Sequence, residues 1–75
     1  MTIDEFVKAF ADEFEDTPAE EFKADTEYKT LDEWDSLAVL SIISMVDEQL
    51  GKKVTGADLR ACSTIEDLFN FANSK

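Results

Sequence analysis

The first segment of the chain repeats apolar residues at helical spacing. Steps of three and four separate them, which places them on one face of a helix. They are Ile3, Phe6, Val7, Phe10 and Phe14. Thr2 and Glu5 form a capping-box pattern, which predicts that the helix begins near residue 3. We therefore expect a first helix that ends at Phe14 or Glu15.

A second long helix is predicted between two strong end signals. Asp35 is a favoured N-cap residue and Gly51 a favoured residue just past a helix end, which brackets residues 36–50. Its predicted buried stripe consists of Val39, Ile42, Ile43, Val46 and Leu50. Leu37 and Leu40 fall toward a different face, which indicates a docking surface at the start of this helix.

Residues 15–35 form a long connection between these helices. The string Thr17-Pro18-Ala19-Glu20 has the pattern of a cap, a proline at the first helical position and a capping glutamate. It predicts one short helical turn that ends near Phe22. Apolar residues spaced along the connection are expected to anchor it to the core, namely Phe22, Tyr28, Leu31 and Trp34. A loop this long in a small domain is often functional.

The last third of the chain predicts two further helical segments. Thr55 and Asp58 can cap a short turn, and Ser63 or Thr64 can cap a final helix over residues 65–73. The expected inner face of that helix carries Ile65, Leu68, Phe69 and Ala72. Since no stretch alternates at period two for the length of a strand, the patterns predict a small all-α bundle.

Length and charge narrow the class of protein. The chain has 75 residues, so we expect a single domain over 1–75. It holds 18 acidic and 7 basic residues and carries a formal net charge of −11. Such a surface repels phosphate backbones and anionic membranes, so we expect neither nucleic-acid binding nor membrane insertion. Proteins with basic patches are the expected partners.

Two further patterns bear on location. The first residues lack the basic-then-apolar pattern of a signal peptide. The longest apolar stretch, 37–46, is about half the length of a membrane span and contains two serines. We therefore expect a soluble, cytoplasmic protein.

The composition argues against catalysis. Histidine is absent, so no serine or cysteine nucleophile has the usual base beside it. The two glycines form no phosphate-binding loop, and the acidic runs do not match a calcium-binding loop. The single cysteine, Cys62, cannot form an internal disulfide and is expected to be a buried small apolar residue. We predict a protein that is not an enzyme and has no metal site.

The remaining candidate for chemistry is Asp35-Ser36-Leu37 at the head of the second helix. A serine at the first helical position lies beside backbone N–H groups that lack helical partners and beside the positive end of the helix dipole. A phosphate ester on that hydroxyl would place negative charge where it is favoured. By itself the tripeptide is also consistent with an ordinary helix start.

The longer context of this serine resembles a known family. The string Trp34-Asp35-Ser36-Leu37, followed by the apolar run to Asp47-Glu48, resembles the phosphopantetheine-attachment segment of acyl carrier proteins. The order of helices, the long first loop and the opening of the last helix resemble that family over residues 3–73. The resemblance implies an acidic four-helix bundle of the acyl-carrier type, with a long loop between helices one and two.

This resemblance implies a function and a set of residues. Ser36 would carry 4′-phosphopantetheine covalently, transferred from coenzyme A by a phosphopantetheinyl transferase, and the thiol of the arm would hold acyl groups as thioesters. Acyl-transferring or condensing enzymes with basic patches would be the partners of a monomeric carrier. The positions that match the family's recognition face are Asp35, Leu37, Leu40, Asp47 and Glu48. The positions that would line an acyl pocket are Val39, Ile43, Val46, Leu59 and Cys62.

The resemblance leaves the pathway open. Carriers of fatty-acid synthesis usually have acidic residues where this chain has Ala38 and Ser41, so polyketide or specialised lipid biosynthesis is an equal expectation. Peptidyl carriers usually have glycines before the serine, whereas this chain has Glu33, Trp34 and Asp35. This difference argues against an ordinary peptidyl carrier and leaves a stand-alone aminoacyl carrier open. The alternative to a carrier is a protein of a different functional class, an acidic helical protein-interaction module without an arm.

Overall fold

A computed structural model describes residues 1–75, whose regular structure consists of four α-helices and two 3₁₀ turns. The helices are α1 (Ile3–Ala11), α2 (Ser36–Leu50), α3 (Gly56–Ala61) and α4 (Ile65–Asn73). Helix α1 packs against α2 and α4, and α2 also packs against α3 and α4. The predicted all-α bundle with a long first loop is confirmed. None of the helices has the length and apolar character needed to cross a membrane.

The predicted helix ends are formed by side-chain caps. Capping boxes in which a threonine and an acidic residue exchange backbone hydrogen bonds open α1, α3 and α4. The pairs are Thr2 with Glu5, Thr55 with Asp58 and Thr64 with Asp67. Helix α2 ends at Gly51, whose φ of 66° is the left-handed conformation that glycine adopts without a steric cost. The predicted bounds of α2 and α4 are therefore confirmed.

Helix α1 is shorter than predicted. It ends at Ala11 instead of Phe14 or Glu15. The N–H groups of Glu13 and Phe14 donate to the carbonyls three residues earlier, so the chain tightens after the helix. In this conformation the ring centroid of Phe14 lies 5.3 Å from that of Phe22.

The long loop contains two 3₁₀ turns, of which one was predicted. The turn Ala19–Glu21 lies where the sequence predicted it, but the predicted cap is wrong because Pro18 precedes the turn without a side-chain hydrogen bond. The hydroxyl of Thr17 instead donates to Glu33 Oε1 across the loop. The second turn, Tyr28–Thr30, has no cap signal in the sequence and was missed.

Aromatic rings fix this loop to the bundle. The ring of Phe10 in α1 lies within 6.4 Å of four other aromatic rings, which belong to Phe14, Phe22, Tyr28 and Trp34. Of the predicted anchors, Phe22 and Tyr28 are buried, and Leu31 and Trp34 are half-buried against the core. Backbone bonds add to this anchoring, because Ile65 and Glu66 at the start of α4 donate to loop carbonyls.

The buried face of α2 is wider than the predicted stripe. Ile42 and Val46 are fully buried as predicted. The other predicted members are only half-buried against the core, namely Val39, Ile43 and Leu50. Met45 is buried although the stripe omitted it, because α2 packs against three other helices and therefore buries a broad face. In α4, Ile65, Leu68 and Ala72 are buried, and Phe69 is half-buried beside Phe6.

Candidate functional site

Ser36 is the first residue of α2, where the long loop meets the helix. Asp35 precedes it in an extended conformation, and Oδ1 of Asp35 accepts a hydrogen bond of 2.9 Å from the N–H of Ala38. This cap holds the helix start and leaves Ser36 exposed to solvent. The Ser36 hydroxyl forms no hydrogen bond within the chain, so it is free to react.

The backbone around Ser36 suits a phosphate ester. The first helical bonds of α2 are made by Ala38, to the Asp35 carboxylate, and by Val39, to the Asp35 carbonyl. The N–H groups of Ser36 and Leu37 therefore have no partner in the chain. Unpaired N–H groups at the positive end of a helix dipole favour a bound phosphate. The residues present thus fit a phosphoester on Ser36.

Two leucines lie exposed beside the serine. Leu37 is 73% exposed and Leu40 is 62% exposed, which makes them the most exposed large apolar side chains of the chain. Leu40 lies one helical turn after Ser36, about 6 Å along the axis. Two adjacent exposed apolar side chains are typical of a surface that another molecule covers.

The five predicted recognition residues are all exposed, but they form two groups. Asp35, Leu37 and Leu40 lie around Ser36. Asp47 and Glu48 lie near the other end of α2, about 16 Å from Ser36 along the helix axis. Asp47 there already has a neighbouring cation, because Lys53 Nζ lies 4.0 Å from its Oδ2.

The predicted acyl-pocket residues lie mostly in the core. Val46, Leu59 and Cys62 are buried, and Val39 and Ile43 are half-buried. A surface groove of about 310 Å³ runs along α2, and among these five only Ile43 lines it. The remaining lining residues are Leu40, Ser44, Asp47, Lys53 and Val54.

The groove follows the helical stripe of Ser36. Steps of four and three lead from position 36 to 40, from 40 to 43 and 44, and from these to 47, so the five positions share one side of α2. The helical spacing of these positions after Ser36 is visible in the sequence alone. The contribution of Val54, which lies after the helix, depends on how the chain turns at Gly51 and had no sequence signal.

Cys62 and Tyr28 form a polar contact inside the core. The Tyr28 hydroxyl donates to the carbonyls of Leu59 and, at 3.2 Å, of Cys62. Burial raises the pKa of the Tyr28 phenol. Burial also raises the pKa of the Cys62 thiol, as do the carboxylates of Asp67 and Asp58. Cys62 is 8% exposed and behaves as the small buried residue that was predicted.

No group of three or more cysteine, aspartate or glutamate side chains is arranged to hold a metal ion.

The sequence matches the family model described as "Phosphopantetheine attachment site" over residues 4–72. No curated protein and no solved structure matches the chain significantly.

Proposed function

The chain belongs to the family of phosphopantetheine-attachment domains, and on this premise we propose that Ser36 is the residue that carries the arm. Proteins of this family are carriers and not catalysts, and their 4′-phosphopantetheine is bound covalently. We further propose that residues 1–75 act as a single, monomeric carrier domain.

The observation that carries the Ser36 assignment is its combination of exposure and helix position. Of the chain's serines, Ser36 alone begins a helix with unpaired N–H groups beside it. Ser41 and Ser44 lie within α2, where neighbouring N–H groups are bonded along the helix. Ser63 precedes the cap of α4, and the Ser74 hydroxyl donates to the Phe71 carbonyl.

Attachment requires a second protein. No side chain of the protein is hydrogen-bonded to the Ser36 hydroxyl, and the neighbouring Asp35 carboxylate accepts from the Ala38 N–H instead. The base that accepts the Ser36 hydroxyl proton would therefore belong to the phosphopantetheinyl transferase. The Ser36 oxygen forms the new bond to phosphorus, the pyrophosphate bond of coenzyme A breaks, and the nucleotide half leaves. The role of the chain is to present an exposed hydroxyl at a helix end that stabilises the product phosphoester.

The loaded carrier would hold acyl groups as thioesters on the thiol of the arm. Its partners would be the transferase and enzymes that transfer or condense acyl groups in fatty-acid, polyketide or specialised lipid biosynthesis. Ala38 and Ser41 stand in α2 where fatty-acid carriers usually have acidic residues, which favours a dedicated pathway. Asp35, Leu37 and Leu40 would contact the partners beside the arm, and Asp47 and Glu48 would do so further along α2.

Short acyl chains would be sheltered beside α2. We expect the attached acyl group to contact the predicted pocket residues, which are Val39, Ile43, Val46, Leu59 and Cys62. Attachment of an octanoyl group should therefore shift the amide resonances of these residues in a ¹H–¹⁵N spectrum. If only Ser36 and its immediate neighbours shift, the acyl chain lies outside the bundle.

The alternative function is an acidic interaction module that carries no arm. The net charge of −11 favours it, because such a surface attracts basic proteins with or without a modification. This alternative does not require an exposed serine hydroxyl at the head of α2.

An intact-mass measurement tests the proposal. The chain is incubated with coenzyme A, magnesium and a promiscuous phosphopantetheinyl transferase. We expect the mass of one phosphopantetheine to be added to the wild-type chain and to Ser41→Ala, and nothing to be added to Ser36→Ala. Modification of Ser36→Ala would refute the assignment, and failure to modify the wild-type chain would favour the interaction module.

A further inference from the structure

The negative charge of the chain is concentrated in two segments. Residues 9–22 and 30–51 hold 11 of the 18 acidic residues and none of the 7 basic ones. The remaining residues hold 7 of each sign and are neutral overall. The whole net charge of −11 therefore comes from the end of α1, the long loop and α2.

The fold brings these two segments together beside Ser36. The Thr17 hydroxyl donates to Glu33 across them, and the rings of Phe14 and Trp34 lie 6.4 Å apart. Between the segments is a surface groove of about 250 Å³, which we call the loop-side groove. Its acidic lining residues are Glu13, Glu15, Asp16, Glu33 and Asp35. Leu37, Ala38 and Ser41 of α2 form its other wall.

No cation of the chain neutralises this groove. The ion pairs of the protein are Lys53 with Asp47 at 4.0 Å and Lys75 with Asp58 at 3.7 Å, and neither pair borders the groove. The side chains of Glu13, Glu15 and Asp16 are exposed and form no hydrogen bond within the chain. Glu33 and Asp35 accept hydrogen bonds from Thr17 and from the Ala38 N–H, but neither is paired with a cation. Five carboxylates without a neighbouring cation focus a negative potential at this place.

The outer face of α2 supplies no such charge. From Ser36 to Val46 the helix has no charged residue, and its exposed side chains include Leu37 and Leu40. Over this stretch, a partner that covers these leucines meets apolar and hydroxyl groups along the helix and carboxylates to the side, in the loop-side groove. Charge complementarity then determines where the basic residues of that partner lie.

Resting on the proposed function, we propose that partner enzymes cover Leu37 and Leu40 with an apolar patch and place lysine or arginine side chains in the loop-side groove. The basic residues of the partner thus lie mainly on the loop side of α2, beside the attachment serine, and contacts with Asp47 and Glu48 further along the helix contribute less. Such an arrangement steers the encounter and orients the partner over Ser36.

Two charge-matched variants test this orientation. The triple Glu13→Gln, Glu15→Gln, Asp16→Asn neutralises the groove. The control triple Asp25→Asn, Glu27→Gln, Glu66→Gln removes equal charge from exposed side chains of the neutral part. The probe is the rate of arm transfer by a phosphopantetheinyl transferase, expressed as kcat/KM for the carrier at about 0.02 M and about 0.5 M sodium chloride.

We expect the groove triple to lower kcat/KM about tenfold at low salt, and the control triple to lower it less than about twofold. The gap should close at high salt, where exposed charges are screened. The melting temperature of the groove triple should not fall, because the three carboxylates have no partner to lose.

Two results would overturn the proposal. One is an equal loss in both triples, which would mean that only net charge matters. The other is a larger loss in Asp47→Asn, Glu48→Gln than in the groove triple, which would place the basic residues along the helix. If the wild-type chain accepts no arm, the proposed function itself is contradicted. An intact-mass measurement of the wild-type chain distinguishes this outcome from the two results above.

Discussion

The aromatic core beneath the long loop and the exposed start of α2 differ in the burial and the hydrogen bonding of their side chains. In the core, Phe10 is fully buried among four other rings, and Tyr28 has both a packed ring and hydrogen-bond acceptors. At the start of α2, Leu37 and Leu40 are mostly exposed and the Ser36 hydroxyl has no partner. The core is complete within the chain and fixes its shape. The start of α2 leaves a hydroxyl and two apolar side chains open to contact with another molecule, and we propose that function lies there.

The largest effect should come from the centre of the aromatic core. Phe10→Ala removes a ring of α1 that lies against Phe14 and against three rings of the long loop, and we expect a loss of about 3–5 kcal/mol in the free energy of unfolding. Such a loss approaches the whole stability of a small domain. Urea denaturation followed by circular dichroism measures it. A loss below about 1 kcal/mol would mean that the loop is not held by this core.

A smaller effect should follow from the buried hydroxyl. Tyr28→Phe keeps the ring and removes the donor to the Leu59 and Cys62 carbonyls, which should cost about 1–3 kcal/mol because two buried acceptors lose their partner.

The pH dependence of this variant provides the check. Because burial raises the pKa of Tyr28 above its unfolded value, its contribution is fully present below about pH 10 and is lost as the pH rises further. The stability of the wild-type chain should thus fall more steeply in that range than that of Tyr28→Phe. Equal slopes would contradict the role given to this hydroxyl.

Asp35 caps α2 at the point where the long loop meets the helix. Asp35→Ala removes the acceptor for the Ala38 N–H and should lower the free energy of unfolding by about 1 kcal/mol. Asp32→Ala is the matched control, because Asp32 is exposed and forms no hydrogen bond or ion pair. Thermal melts of the two variants should therefore separate, and coincident melts would mean that the Asp35 carboxylate does not stabilise α2.

The smallest effect on stability should come from the exposed leucines. Leu37→Ala should change the free energy of unfolding by less than about 0.5 kcal/mol, because its side chain is already in water. Arm transfer should nevertheless slow about fivefold, the equivalent of about 1 kcal/mol of lost contact with the transferase. Unchanged transfer kinetics would remove Leu37 from the docking surface.

The sequence predicted the helices well because their ends are encoded locally. The threonine–acid pairs at Thr2, Thr55 and Thr64 and the residues Asp35 and Gly51 form the caps that their spacing predicted. The end of α1 was predicted too late because Phe14 continues the apolar spacing, while in the fold it turns toward Phe22. That outcome depends on a contact between segments, which periodicity does not describe.

The site was predictable only in part, for the same reason. The start of α2 and the exposure of Leu37 and Leu40 follow from the helix pattern and are confirmed. The loop-side groove depends on how the segment after α1 packs against the residues before α2. The hydrogen bond from Thr17 to Glu33 joins these two segments and was not predicted. Charge along the chain was visible in the sequence, but its convergence beside the serine was not.

The most direct test of the central claim is the location of the arm in the chain itself. Trypsin cleavage after Lys29 and Lys52 releases residues 30–52, which contain Ser36, Ser41 and Ser44. After arm transfer, fragmentation of this peptide should place the added mass on fragments that include Ser36 and on none that begin at Leu37. Added mass on fragments that begin at Leu37, or on another peptide, would contradict the account.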